Sequence, residues 1–174
     1  MKRSIVLIGL PGAGKTTVAR LAAQELGAPY VDVDALIVRR MQKPIAQIFA
    51  EDGEAKFRQL EAEAMRAALA GAPSIMSPGG GWAARPGNLD AALEQAFVIY
   101  LKVQAITAAK RAGGASGRPL LDGQDPAVRM RQLLAEREPF YARAHAEIKA
   151  DIKSAALVAK DVVQLAREHA GWDS

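Results

Sequence analysis

One stretch near the start of the chain, Gly9-Leu10-Pro11-Gly12-Ala13-Gly14-Lys15-Thr16-Thr17, narrows the possible folds more than any other. It satisfies the G-x-x-x-x-G-K-[ST] pattern of a phosphate-binding loop. Its glycines let the backbone turn so that the N–H groups of Gly12, Ala13, Gly14, Lys15, Thr16 and Thr17 can face phosphate oxygens, which Cβ atoms would obstruct. Lys15 is expected to reach the β and γ phosphates, and Thr16 to ligate Mg2+ through its hydroxyl. The helix that begins here turns its positive end toward the anion. The setting agrees: Ser4-Ile5-Val6-Leu7-Ile8 reads as a buried parallel strand, and Thr17 to Leu26 as a helix.

A chain of 174 residues is long enough for one domain with a substantial core, and residues 1–174 are expected to form one. Half of the residues are hydrophobic and 24% are charged, the balance of a globular protein. With no cysteine there can be no disulfide, cysteine-type zinc site or thiol nucleophile, which suits a reducing cytoplasm. His145 and His169 are too far apart to suggest a metal site. The apolar run after Met1-Lys2-Arg3 stops at Pro11-Gly12, as a first strand would and a signal peptide would not. No stretch approaches a membrane span. The net charge of +4 suits small anionic ligands, and aromatics at 5% are too few for a stacking nucleic-acid surface.

Further along, Ala28 to Asp34 reads as a strand ending in two carboxylates, Asp32 and Asp34, whose side chains would emerge together at the carboxyl edge of the sheet. Ile45 to Ala50 and a break at Glu51-Asp52-Gly53 precede a helix from about Glu54 to Ala70. Its stripe of Phe57, Leu60, Ala64, Ala67 and Ala68 is expected to pack on the sheet. Arg58 and Glu61 lie three apart on that helix and can pair. Ser74 to Ser77 is a strand followed by Gly79-Gly80-Gly81, where backbone must approach something closely or turn freely. Trp82 beside them is a candidate to reshape the pocket wall.

Phe97 to Leu101 is another buried strand, with a helix after it that ends near Arg111. Residues 112–125, rich in glycine and carrying Arg118, read as a mobile lid. Asp125-Pro126 opens a helix to about Glu138, ended or kinked by Pro139, with Arg137 in its last turn. Ala146 to Ile152 is the last strand and Ala155 to His169 the closing helix. Strand and helix alternate throughout, which predicts an α/β three-layer sandwich around a parallel sheet of about five strands.

Taken together, these motifs resemble the shikimate kinases, within the nucleoside monophosphate kinase-like group of P-loop proteins. The resemblance rests on Gly9 to Thr17, Val31 to Asp34, Ile45 to Glu54 running into Phe57-Arg58-Gln59-Leu60-Glu61, Gly79 to Gly81, Arg118-Pro119-Leu120-Leu121, and Arg137 with Tyr141. It implies ATP- and Mg2+-dependent phosphorylation of the 3-hydroxyl of shikimate by a cytoplasmic monomer. By position it implies that Asp34, Arg58, Gly80 and Arg137 hold the substrate, with Gly79, Gly81, Phe49, Phe57 and Glu61 shaping the same wall. Lys15, Asp34 and Arg118 would be catalytic, Asp32 would help to place Mg2+, and Arg111 would stack on adenine.

Two other readings use the same motifs. A gluconate-type kinase could stand on this scaffold, since fold alone does not decide substrate. A non-catalytic, nucleotide-responsive binding protein could retain the pocket as a sensor.

Overall fold

The computed structural model describes residues 1–112 and 125–173. Among them a five-stranded, all-parallel sheet runs in the order β2-β3-β1-β4-β5, with helices on both faces. Strand β1 (Ser4–Ile8) is central and wholly buried. It pairs with β3 (Ile75–Ser77), Val6 opposite Met76, and with β4 (Ala96–Lys102), Val6 opposite Val98. A strand covered on both faces has no use for polar alternation, and that is why Ile5, Val6 and Leu7 are all apolar.

Helix α1 (Lys15–Leu26) starts on Gly14, left-handed at φ 91°, and stops on Gly27, also left-handed, whose N–H closes onto Ala23 and Gln24 carbonyls. Strand β2 is shorter than its sequence suggests, Tyr30–Asp32, because the chain turns helical at once: α2 is Val33–Met41. The Asp32 carboxylate accepts from the Ala35 amide at 3.1 Å and caps that helix. Asp34 therefore lies in the first turn of a helix and not at the end of a strand, although both carboxylates still emerge together at this edge of the sheet.

Helix α3 (Ile45–Ala70) is two helical pieces joined at Gly53, whose φ of 85° and ψ of 165° are not helical. Here the expected break is real. Its neighbours include α2, α4 and a 3-10 turn at Trp82–Ala84, and its stripe enters the same buried core as the sheet strands. Phe57, Leu60 and Met65 are buried beneath it, whereas Ala67 is exposed. Helix α4 (Asn88–Gln95) was not legible in the sequence; α5 (Ala105–Ala112) ends next to Arg111 as expected.

Helix α6 (Pro126–Tyr141) is capped by Asp125, which accepts from the Ala127 amide. It runs through Pro139, which sits in the last turn, where the missing N–H costs one bond and the buried Tyr141 and the Ala142 amide closing onto Glu138 hold the end in place. Strand β5 is Ala146–Lys149, shorter than expected, and α7 (Ala155–His169) is capped by Ser154. The expected lid, residues 112–125, falls almost wholly outside the described residues, Arg118 with it.

Candidate active site

The loop after β1, the start of α1, the end of β2 and the turn after β3 meet at one edge of the sheet, where the parallel strands present their carboxyl ends. They enclose a cavity of about 480 Å³ lined, among others, by Lys15, Thr16, Thr17, Asp32, Asp34, Gly79, Gly80 and Arg111. Loop, carboxylates and glycine turn thus share one space.

Three glycines give the loop its shape. Gly9 has φ 150° and Gly12 has φ 83°; a Cβ on Gly12 would stand 2.4 Å from the Ala108 carbonyl oxygen of α5. No L-residue with a side chain fits there. The Ala13 amide is used inside the loop, donating to the Leu10 carbonyl at 3.1 Å, and its methyl is buried. Ala13 consequently lies behind the cavity, while its neighbours Gly12 and Gly14 line it. Lys15 Nζ donates to the carbonyl oxygens of Gly9 at 2.7 Å and Leu10 at 2.8 Å. Those bonds hold the ammonium at the mouth of its own loop, beside the helix N-terminus that favours anions.

Beyond the cavity stands a second, buried wall. Arg58 and Glu61 are joined at 3.0 Å, with side chains 5% and 1% exposed, so this is not a solvated ion pair. The other Glu61 oxygen accepts from the Gly79 amide at 3.0 Å. One carboxylate therefore ties the arginine of α3 to the turn after β3. The Arg58 guanidinium lies 5.4 Å from the Phe57 ring centre, and Phe57 packs on Phe49 at 4.8 Å.

The triple glycine is a place of close approach. A Cβ on Gly81 would meet the Arg58 guanidinium at 2.7 to 2.9 Å. One on Gly80 would stand 2.7 Å from Pro11 Cδ, 3.0 Å from Arg137 Nη1 and 3.1 Å from the Gly9 carbonyl oxygen. Arg137 is buried, and among the described residues its Nη1 meets no acceptor. A buried cationic donor without an acceptor is costly, so this atom asks for an anion from elsewhere.

Trp82 does not shape the cavity. It is buried and lines a separate cavity with Met65, Leu69 and Asn88, and its carbonyl accepts from the Asn88 side-chain Nδ2 at 3.0 Å. Pro78, by contrast, lines the cavity. Arg111 donates to the Ala150 carbonyl at 3.4 Å and stands between the cavity and a neighbouring groove lined by Thr17, Ser154 and Val158.

Sequence reasoning gave Tyr141 no role, although its hydroxyl donates to the Gly80 carbonyl at 2.5 Å. The signal was available: Arg137 and Tyr141 are four apart on a helix and so share a face. Nor did the sequence show that Glu61 serves two partners, or that the Tyr30 hydroxyl sits 3.2 Å from Ser77 at the cavity edge.

Comparison with known proteins agrees with this geometry. The shikimate kinase family model matches residues 11–167. A shikimate kinase of Mycobacterium avium (strain 104) is 48% identical over 151 residues, which is 87% of this chain and 85% of the relative. Among solved structures, shikimate kinase from Acinetobacter baumannii in complex with shikimate superposes with a TM-score of 0.92 at 31% identity, covering 97% of this chain and 94% of the other. A gluconokinase from Sinorhizobium meliloti 1021 superposes with a TM-score of 0.64 at 16% identity, covering 98% and 94%. That second likeness is one of fold alone.

Proposed function

The chain belongs to the shikimate kinase family, and from that premise we propose how its residues carry the transfer of a phosphoryl group from ATP to the 3-hydroxyl of shikimate. It is a kinase of the shikimate pathway, which leads to chorismate and the aromatic amino acids. The gluconate-type and non-catalytic readings are not favoured.

The observation that carries the assignment of roles is the position of Gly80. The space a Cβ on Gly80 would fill is bordered at once by Pro11 and Gly9 of the phosphate loop and by Arg137. A molecule held by its carboxylate against Arg137 and Arg58 would therefore lie within reach of a phosphate held by the loop. Each charge-assisted bond to such a carboxylate contributes about 1.5 to 3 kcal/mol. Phe49 and Phe57 offer a flat apolar side to the ring, and Gly79, Gly80 and Gly81 a wall without side chains.

Phosphoryl transfer depends mainly on alignment and on neutralising charge at the group in flight. Lys15 supplies charge from the loop, with Gly12, Gly14, Thr16 and Thr17 around it lining the same cavity. Asp34, lining the cavity from the first turn of α2, is placed to accept from the attacking hydroxyl, orient it and take its proton. Arg118 is assigned to the transferring group from its motif alone.

Thr16 and Asp32 both line the cavity, and one Asp32 oxygen is already engaged by the Ala35 amide. A hydroxyl and a half-occupied carboxylate suit an octahedral cation that keeps most of its waters and is shared with phosphates. Thr16 and Asp32 would hold Mg2+, which when bound would supply positive charge to offset that of the nucleotide phosphates. Arg111, fixed to the Ala150 carbonyl, borders the groove that would take the adenine. The enzyme is assigned to the cytoplasm as a monomer; no described helix is long and apolar enough to cross a membrane.

The test is ADP release with MgATP and a panel of shikimate, quinate, gluconate and a nucleoside monophosphate. Turnover with shikimate far above the rest is expected. Silence with shikimate and turnover on another acceptor would overturn the reading.

A further inference from the structure

Tyr141 lies one helical turn beyond Arg137 on α6, so the two side chains leave the same face. Both are buried and both end at the same glycine. The Tyr141 hydroxyl donates to the Gly80 carbonyl at 2.5 Å, and Arg137 Nη1 stands 3.0 Å from the position of a Cβ on Gly80. Burial pushes the Tyr141 phenol up to about 12, so it remains a donor across the neutral range. Its ring packs on Tyr100 at 5.0 Å, and the Tyr100 hydroxyl is fixed in turn by Glu138 at 2.6 Å.

We propose that Tyr141 is a positioning residue for the carboxylate end of the substrate: its hydroxyl anchors the Gly80 carbonyl, and so sets the Gly80–Gly81 turn against Arg137 and Arg58. The proposal rests on the reading of Arg137 as a carboxylate clamp. Peptide planarity carries the effect onward, because a fixed Gly80 carbonyl also fixes the direction of the Gly81 N–H. The turn has little freedom to absorb an error. There is no room for even a Cβ between Gly80 and Pro11 or Gly9, or between Gly81 and the Arg58 guanidinium. A shift of a few tenths of an ångström would therefore move the wall relative to both arginines and the phosphate loop. Tyr141 does not line the cavity; it acts through the Gly80 carbonyl and through its own contact with the Arg137 side chain.

The experiment is steady-state kinetics with MgATP and shikimate on Y141F, R137A, the double variant and Y100F. Y141F keeps the ring and loses one oxygen. It is expected to raise KM for shikimate about three- to tenfold, as the loss of one hydrogen bond would, with kcat and KM for ATP within about twofold. In the R137A background the same change should add little, since the group being positioned is gone. Y100F should leave KM for shikimate unchanged. An unchanged KM in Y141F, a parallel fall in kcat and in affinity for ATP, or an equal effect in the R137A background would each overturn the proposal. If R137A itself left KM for shikimate unchanged, the clamp would be wrong and the proposal with it. Should Y141F melt below the assay temperature, shikimate is titrated onto it in the cold, and the same loss of affinity is expected; undiminished binding overturns the proposal.

Discussion

Arg58 and Glu61 form an ion pair at 3.0 Å with both side chains almost wholly out of water, and the carboxylate spends its second oxygen on the Gly79 amide. A pair three apart on an exposed helix is worth a few tenths of a kcal/mol. Buried, it has a different meaning: neither charge can be removed without stranding the other.

Glu61→Ala is expected to lower stability by about 3 kcal/mol, because it leaves a buried guanidinium with only the longer, half-exposed contact to Glu54 at 3.5 Å and the Gly79 amide with no acceptor. Glu61→Gln retains an acceptor for Arg58 and should recover part of that loss. Chemical denaturation of both variants checks this, and equal loss in the two would mean that the charge of Glu61 has no part in it.

The two glycines of the wall should fail differently. Gly80→Ala drives a methyl into the rigid Pro11 ring and the Gly9 carbonyl as well as toward Arg137, and should cost about 1 to 3 kcal/mol. Gly81→Ala presses on the end of the Arg58 side chain, so its main effect should be a raised KM for shikimate. Melting curves and kinetics on the two variants separate these outcomes.

Lys15→Met removes the loop's cation while retaining an unbranched stem. We expect kcat to fall by about a hundredfold or more, as when one preorganised donor to the transition state is lost, with shikimate binding preserved. Retained turnover would remove Lys15 from the transfer step.

Asp32 has a local duty and an assigned one, and two substitutions part them. Asp32→Ser keeps an oxygen for the Ala35 amide, whereas Asp32→Ala loses the cap and about 1 kcal/mol. Both should raise the Mg2+ concentration needed for half-maximal rate. If Asp32→Ser titrates with Mg2+ like the parent protein, Asp32 serves the helix only.

His145 Nδ1 accepts from the Val98 amide at 2.9 Å, which requires a neutral ring. Desolvation, with the Arg3 charge second, lowers its pKa below the usual histidine value. The unfolded chain therefore binds the proton more readily than the folded one. Its contribution to stability is complete above about pH 6.5 and is lost as the pH falls through the lower folded value. The residue is exposed, so the effect is small, a Tm change of about 2 °C or less. In His145→Asn, whose side-chain oxygen can still accept, this component of the acid sensitivity should vanish; an unchanged Tm profile would discount it.

What the sequence determined alone is what is local. The phosphate loop needs only its own glycines and lysine. The caps at Asp125 and Ser154 and the stop at Gly27 each act within a few residues, so α6 and α7 begin, and α1 ends, where the residues say. The apolar runs of β1 and β4 imply burial on both faces wherever they fold. The order of strands, the burial of Arg58 and the meeting of Gly80 with Arg137 were decided only by tertiary structure. Arg137 and Gly80 are far apart in the chain, and Arg58 gains Glu61 as a buried partner only once the Gly79 turn packs over it. Asp34 shows the limit from the other side. Its residues read as the end of a strand, whereas β2 stops at Asp32, opposite Ser77, and Asp32 caps the helix in which Asp34 lies. Local chemistry settled the anion cradle; long-range packing settled what stands across from it.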